Sequence, residues 1–600
     1  MSYVDAYFNK DKDIIHVVER DKKGRRNFVD YKANYQFFIT DPNGKYRSIY
    51  DESISKIVPK TNKDFHQQVK KYSNQPGVKI YESDLNKTFV CLSDNYTNAS
   101  PPPLHVAFWD IETDFQAFAY DSRYIVKIRK DDEIKELTVF QLSTFPNREH
   151  YEIYDVEQDE WVHVAHCVYL KPGPGYSSTD DACLPITAIT IYLQWLDELI
   201  TLALPPATIT MDEAMVMMTD IPNVVLFDDE RKMLDTFLDL IEDVDILSGY
   251  NCSGYDIPFT INRLRNIRSK EATKRFCLWG QLPTPIEIEK YGKKINSYHL
   301  VGRVNLDYLD LYKKYTFEEQ SSYRLDYIGE IEVGEKKVIY DGTLDQLYNN
   351  DFKKFILYNR QDVALLNKIN EKLKFINTAN TFAHANTVLL PTVLGTVSAT
   401  EQAIINEAHS LGYRIPNRSK LSTKESTQAA GAYVAYPVTG LHKYIGSFDI
   451  NSLYPSVIRA LNMAPETLVA QIRQTHTDAY IDDKMAQGHT FAAAWEGIFA
   501  SLEYDMVMNQ DPTIMLHVDW SDGNSILLSS AEIYDLVFNT SNKLMMSANG
   551  TIFSYEKEGV IPGLLKKWYI ERQSIQKEIK HYINLQYGIE VPVRFVKESI

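Results

Sequence analysis

Through the first hundred residues apolar and polar positions alternate with a period of two, in short runs broken by turns: Ile14-Ile-His-Val-Val, then Asp21-Lys-Lys-Gly24, then Asn27-Phe-Val-Asp-Tyr31. That period puts successive side chains on opposite faces of a strand, and the glycine-bearing breaks close hairpins, so the pattern predicts a small β-rich domain. Ser100-Pro-Pro-Pro103 removes three backbone donors and marks its end, giving a first domain over 1–104. The next run, His105-Val-Ala-Phe-Trp-Asp-Ile-Glu-Thr113, is an apolar strand that turns acidic at two alternate positions. Asp110 and Glu112 then share one face, while Trp109 and Ile111 anchor the other. Two carboxylates on one face repel each other, an arrangement that persists when a cation sits between them or one keeps its proton.

Further along, Glu136-Leu-Thr-Val-Phe-Gln-Leu142 reads as another strand, and the apolar segment 184–204 as a buried amphipathic helix. From Asp228 an amphipathic helix collects Met233, Leu234, Phe237, Leu238 and Ile241 on one side, with acids at its start. It leads into Asp245-Ile-Leu-Ser-Gly-Tyr-Asn-Cys-Ser-Gly-Tyr-Asp-Ile-Pro258, a strand that breaks into a glycine-containing loop and delivers Asn251 and Asp256 to its end. Ile286 to Asn296 holds a Gly turn between alternating segments and predicts a protruding hairpin. In Tyr358-Asn-Arg-Gln-Asp362 the phenol and the carboxylate are four apart, on one face of a helix.

Four carboxylates (Asp110, Glu112, Asp256, Asp362) and Tyr358 suit a two-metal nuclease. One ion lowers the pKa of a water, the other stabilises the leaving 3′ oxygen, and Tyr358 orients the water. These segments resemble the three exonuclease motifs of the DEDDy class of 3′→5′ exonucleases found in family B DNA polymerases. Leu306-Asp-Tyr-Leu-Asp-Leu-Tyr312 and Ser322-Tyr-Arg-Leu-Asp-Tyr-Ile-Gly329 resemble the stretches between the second and third motifs, with Asp307 and Asp310 structural. The hairpin at Lys290 to Lys294 resembles the family's strand-separating hairpin.

A second constellation follows a mixed region with a predicted helix over Ala399 to Leu411 and the segment Gly431-Ala-Tyr-Val-Ala-Tyr-Pro437. Tyr444-Ile-Gly-Ser-Phe-Asp-Ile-Asn-Ser-Leu-Tyr-Pro-Ser-Val-Ile-Arg459 predicts an apolar strand ending in Asp449 and a helix starting around Ser452, with Pro455 in its first turn. The free amides of that helix start suit a triphosphate. The run resembles motif A of the family B polymerases, D-x-x-S-L-Y-P-S. The resemblance implies that Asp449 ligates the catalytic metals, that the backbone of Ser452, Leu453 and Tyr454 cradles phosphates, and that Tyr454 packs under the sugar to exclude a 2′-hydroxyl. Asn462-Met-Ala-Pro-Glu-Thr467 continues the similarity, ahead of an insert over 470–545. Leu564 to Lys580 resembles the first fingers helix, where Arg572, and with it Lys577, clamps the incoming triphosphate.

Charge and cysteine content narrow the classes. Lys and Arg number 64 against 81 Asp and Glu, a net charge of −17, which argues against a protein that merely coats nucleic acid. Local basic patches remain at Arg20 to Arg26, Arg265 to Arg275 and Lys566 to Lys580, and 40 Tyr offer stacking surface for bases. Five scattered Cys without a CxxC pair exclude a zinc framework and fit a reducing cytoplasm. The charged N-terminus is no signal peptide, and Asp197 and Glu198 interrupt the most apolar segment, so a soluble, cytoplasmic protein without a membrane span is expected.

The fold class expected is a multidomain α/β and α+β chain of the T-even bacteriophage type. Its parts are a β-rich N-terminal domain (1–104), an RNase H-like DEDDy exonuclease domain (105–375), a return segment of the N-terminal domain with a partial palm and insert (376–555), and the start of the fingers (556–600). The resemblance implies two Mg²⁺ ions per active site, with Mn²⁺ substituting. It implies primer-template and single-stranded DNA, dNTPs and a sliding clamp as partners. The family's K-x-x-x-N-S-x-Y-G and D-T-D-S segments are missing from the 600 residues, which reads either as the N-terminal portion of a longer polymerase or as one half of a split enzyme whose partner is a C-terminal polymerase fragment. Two other readings compete: a stand-alone 3′→5′ exonuclease, and a non-catalytic DNA-binding subunit of a split polymerase.

Overall fold

The structure is a computed structural model that describes residues 1–116, 125–138 except 132, 151–155, 160–163, 175–182 except 177, 184–290, 292–418, 435–473, 483–490, 493–494 and 503–587. The chain forms two compact units, Met1–Asn34 with Asn86–Gln402, and Tyr35–Leu85 with Ala403–Ile600. Residues 1–104, expected as one β-rich domain, are divided between them.

The first unit is built on a six-stranded mixed sheet in the order Val224–Leu226, Glu198–Ala203, Ile186–Leu193, Val106–Thr113, Ile246–Ser248, Val304–Asn305. Val106–Thr113 lies at its centre, antiparallel to Ile186–Leu193 and parallel to Ile246–Ser248. Its alternation decides the layers. Ala107, Trp109 and Ile111 point into one core with helices Glu230–Leu240 and Asp256–Ile267, and Trp109 stacks on Phe237 with ring centroids 5.1 Å apart. Val106 and Phe108 point into the other core, which Val363, Leu365, Leu366 and Ile369 of the long helix Phe352–Leu373 complete. A three-stranded antiparallel sheet, Ser2–Asn9, Ile14–Arg20 and Arg26–Lys32, belongs to the same unit.

The segment 184–204 is a strand pair, Ile186–Leu193 with Glu198–Ala203, and not the expected helix. The run Ile-Thr-Ala-Ile-Thr-Ile-Tyr-Leu is rich in β-branched residues that pack well on a pleated surface. Asp197 takes a left-handed conformation at φ 55°, so the two acids that seemed to sit on a helix close the turn between strands. Of the predicted strand Glu136–Leu142, the part beyond Thr138 lies outside the described residues, as does most of Gly431–Pro437. Among the described residues no helix is long and apolar enough to cross a membrane.

In the second unit a five-stranded sheet runs Tyr413–Arg414, Tyr46–Ser48, Ser53–Ile57, Phe37–Thr40, Ile80–Tyr81, beside helix Asn62–Ser73. Tyr413–Arg414 returns from far along the chain to pair in parallel with Tyr46–Ser48. The insert over 470–545, where described, joins a second antiparallel sheet, Ser525–Ser529, Met515–Trp520, Leu468–Arg473, Thr551–Ser554, Leu544–Met546. Helix Ser530–Phe538 packs on it, started by a capping box of Ser529 and Glu532. The long helix Val560–Tyr587 closes the described chain.

Candidate active site

Strand geometry puts Asp110 and Glu112 on the sheet face that Phe352–Leu373 crosses. That helix buries Phe355, Ile356, Asn359, Asp362, Val363 and Leu366, residues three and four apart that make one stripe. Asp362 therefore descends onto the strand. The carboxylates of Asp110, Glu112 and Asp362 offer oxygens that all lie within 4.8 Å of one another, with Glu112 and Asp362 buried and Asp110 half-buried.

Asp256 arrives differently. It opens helix Asp256–Ile267, and its Oδ1 accepts the backbone N–H of Ile111 at 3.1 Å, which ties it to the middle of the same strand. Asp307 holds the loop that carries it, accepting the N–H groups of Asn251 (2.9 Å) and Ser253 (3.1 Å) while capping the next helix through the N–H of Leu309 (3.0 Å). Buried Lys290 pairs with Asp307, with Asp310 at 3.5 Å. Gly249 sits where any Cβ would lie 2.8 Å from the carbonyl oxygen of Trp109, so the loop approaches the strand as closely as backbone permits.

So much negative charge in one enclosure shifts every member. Burial, then Asp256, Glu112 and Asp362, push the Asp110 carboxyl well above its usual range. Glu112 is pushed up to about 8 by burial and by Asp362, and Asp256 to about 7 by burial. Asp362 is raised as well, by burial. Lys337 answers part of this charge: it pairs with Asp362 through Oδ2 and donates to the Tyr358 hydroxyl at 3.3 Å. Burial works against its charge, yet Asp362 and its neighbours hold the ammonium above the usual lysine range. Burial and Asp362 likewise push the Tyr358 phenol up, and Tyr340 meets its ring edge-on at 5.3 Å.

Asp362 Oδ1 is buried with no hydrogen-bond partner among the described residues. A hard divalent cation suits this place: the donors are all carboxylate oxygens, they converge, and one lysine leaves their charge uncompensated. Lys337 was not singled out from sequence, since Gly334-Glu-Lys-Lys337 reads as an ordinary solvated turn. Asn359 was also passed over, although a polar residue inside an apolar stripe was a visible signal.

The second constellation is not assembled in this way. Segment 444–450 forms no strand, and Tyr444, Phe448, Asp449 and Ile450 are exposed. A strand needs a ladder partner for its N–H and C=O groups, and none of the described residues offers one here. The helix does begin after Ser452, as Leu453–Ala460, with Ser452 left-handed at φ 54°. Leu453 and Tyr454 are exposed, Tyr454 at 71%. Arg572 and Lys577 lie exposed on Val560–Tyr587, and neither they nor Asp449 have an ion-pair partner among the described residues. That helix packs on Leu453–Ala460, where the Arg459 guanidinium sits 4.7 Å above the Tyr569 ring.

Arginines of the first two basic patches are paired internally, and in the third Lys566 and Lys567 pair with Glu558 and Glu407. Arg20 is fully buried, pairs with Asp245 and reaches Asp243 at 3.0 Å, while Arg26 meets Asp245 at 3.1 Å. Arg268 and Arg275 pair with Asp235 and Asp239.

A model of the DNA polymerase family B exonuclease domain matches residues 183–328, and a model of DNA polymerase family B matches 393–586. The chain belongs to DNA polymerase family B. The first match takes in Asp256 and leaves Asp110, Glu112, Tyr358 and Asp362 outside it, so the meeting of these residues is an observation of the structure. The second takes in Asp449 to Tyr454, Arg572 and Lys577. Among relatives, the family B chain is 32% identical over 258 residues to the DNA-directed DNA polymerase of Escherichia phage RB69, covering 43% of this chain and 28% of that one. It is 32% identical over 257 residues to that of Enterobacteria phage T4, covering 42% and 28%. DNA polymerase 2 of Aeropyrum pernix is 26% identical over 285 residues, covering 46% and 33%. The matches thus span a third or less of these relatives' length.

Proposed function

We propose that the first unit is a 3′→5′ proofreading exonuclease of RNase H-like fold and that the second carries part of a DNA-directed DNA polymerase centre. The observation that carries the nuclease reading is the convergence of Asp110, Glu112 and Asp362 within 4.8 Å, with Asp256 hydrogen-bonded to the same strand. Helices on both faces of a mixed sheet, with acids at the central strand, support the RNase H-like assignment.

Asp110, Glu112, Asp256 and Asp362 would hold two divalent cations, Mg²⁺ or Mn²⁺, which supply the charge that activates water and stabilises a leaving 3′ oxygen. Tyr358 orients the attacking water through its hydroxyl, and Lys337 holds that hydroxyl while balancing Asp362. Asp307 and Lys290 keep the Asp256 loop in place. In the second unit Asp449 supplies one polymerase carboxylate, the backbone of Ser452, Leu453 and Tyr454 faces the triphosphate, and Arg572 and Lys577 clamp it. Primer-template DNA, dNTPs and a sliding clamp complete the partners in the host cytoplasm.

On 5′-labelled single-stranded DNA with Mg²⁺, the 600-residue polypeptide is expected to give a ladder shortening from the 3′ end. Internal cuts, or no cuts with either Mg²⁺ or Mn²⁺, overturn the nuclease reading. With primer-template and dNTPs it is expected to incorporate nothing until the fragment carrying the missing motifs is added, and Asp449→Ala abolishes the restored synthesis. Incorporation by the polypeptide alone contradicts the assignment of its polymerase acids.

The hairpin Thr284–Lys290 and Lys293–His299 fits the strand-separating role. Its register pairs Lys290 with Lys293, and Lys290 roots that end in the Asp307 network. Deleting residues 286–296 would also remove Lys290, so the sharper variant keeps it and shortens the strands around Ile286 and Asn296. Digestion of a fully paired primer is expected to fall about tenfold more than digestion of single strands, in keeping with a few kcal/mol for unstacking a base step. Equal loss on both substrates removes the role.

A further inference from the structure

Asn359 is a side-chain amide placed where the helix pattern asks for an apolar residue. It lies in the buried stripe of Phe352–Leu373, between Ile356 and Val363, and is itself 0% exposed. An amide buried there without a partner is costly, so its presence needs a compensating interaction. That interaction is with the acidic cluster: Asn359 Nδ2 donates to Asp110 Oδ2 at 2.8 Å, across 249 residues of sequence.

We propose that Asn359 is a positioning residue for the metal-binding carboxylates, fixing the rotamer of Asp110 from the helix that carries Tyr358 and Asp362. The proposal rests on the exonuclease reading above. Its physical basis is the choice of a neutral donor. An arginine or lysine at this point would neutralise charge that a divalent cation needs, and an aspartate would add to the repulsion among Asp110, Glu112, Asp256 and Asp362. A leucine would pack but leave Asp110 free to turn away. The amide donates to Asp110 Oδ2 and also lies in hydrogen-bonding reach of Glu112, with no change in the charge of the site.

The amide is also committed to one orientation. Asn359 Oδ1 has no hydrogen-bond partner among the described residues, and turning the amide over would set this oxygen against Asp110 Oδ2, two acceptors facing each other. The next residue secures the same turn independently, since Arg360 donates to Thr201 Oγ1 at 3.0 Å on a neighbouring strand. Losing Asn359 therefore frees Asp110 while the helix stays docked.

Direct Mn²⁺ binding to the full chain, followed by the loss of the free-ion paramagnetic signal, separates this role from packing. Signal retained by the Asp110→Ala/Glu112→Ala variant serves as the blank for other sites. Asn359→Leu is expected to weaken Mn²⁺ binding about tenfold, the range for partners that orient metal ligands, with KM for single-stranded DNA unchanged. Asn359→Asp is expected to alter Mn²⁺ affinity while restoring no donor, with kcat well below the wild-type value at saturating metal. If Asn359→Leu fails to fold, Asn359→Ser, smaller and polar, is read in the same titration. Mn²⁺ affinity within twofold of wild type in a folded variant overturns the proposal, whatever happens to cleavage. A wild-type chain that binds Mn²⁺ at this site but cuts no DNA overturns the nuclease reading and leaves the comparison of affinities intact.

Discussion

Replacing Asp110 and Glu112 together by alanine is expected to lower 3′→5′ digestion of single-stranded DNA on the order of a thousandfold or more, the scale on which loss of fixed electrostatic stabilisation is measured. The two carboxylates leave one face of the central strand, and Asp362 is left with Lys337, a pair that neutralises itself and needs no divalent ion. The fold should survive, because Trp109 and Ile111 anchor the other face of the strand and neither acid packs in that core. Gel assays on labelled single strands measure the loss, and thermal melting checks the fold. Digestion within tenfold of wild type by a folded double variant would falsify the assignment of the metal site.

Stability without metal is expected to fall as pH rises from about 4.5 to about 8. Glu112 is raised from its ordinary 4.5 to about 8 and Asp256 from 3.8 to about 7, so across this window the folded chain binds protons that the unfolded chain has released. When the native state holds more protons, unfolding becomes easier with rising pH. The stabilising contribution is complete below the unfolded values and is lost as the folded values are passed. The loss is read as a fall in the melting temperature of the metal-free chain across this window. In chelator, the Asp110→Asn/Glu112→Gln variant is therefore expected to melt higher than wild type at pH 8 and alike at pH 4.5. Mn²⁺ should raise the wild-type melting temperature at pH 8 and have little effect on the variant. A wild-type curve parallel to the variant's across the whole window would show that the acids are not crowded enough to hold protons.

The two results are linked by one cause. Crowded carboxylates that destabilise the metal-free fold at neutral pH are the same groups proposed to grip a divalent cation, so a variant without these charges is expected to lose activity and gain stability. An ordinary structural role for Asp110 and Glu112 predicts the reverse, loss of both.

The periodic parts of this protein follow from the spacing of residues along the chain. Alternation in Val106–Thr113 placed Asp110 and Glu112 on one face, and four-residue spacing placed Tyr358 and Asp362 on one helical face. The helix at 230–240 was likewise written in its apolar spacing, and the start of the helix at 453–460 in the proline of its first turn. Local pattern sufficed because these choices depend on neighbours within one or two turns. It misled at 184–204, where length and apolarity suit helix and strand alike and the edge of Val106–Thr113 decided for strands. Tertiary structure alone decided what lies beyond such windows. It brought Lys337 onto Asp362 and Asn359 onto Asp110, split residues 1–104 between two units, and used Arg20 and Arg26 to bind Asp243 and Asp245. It also left Asp449 exposed, because a strand is a property of two segments and its acid waits on a partner that no spacing within 444–450 can supply.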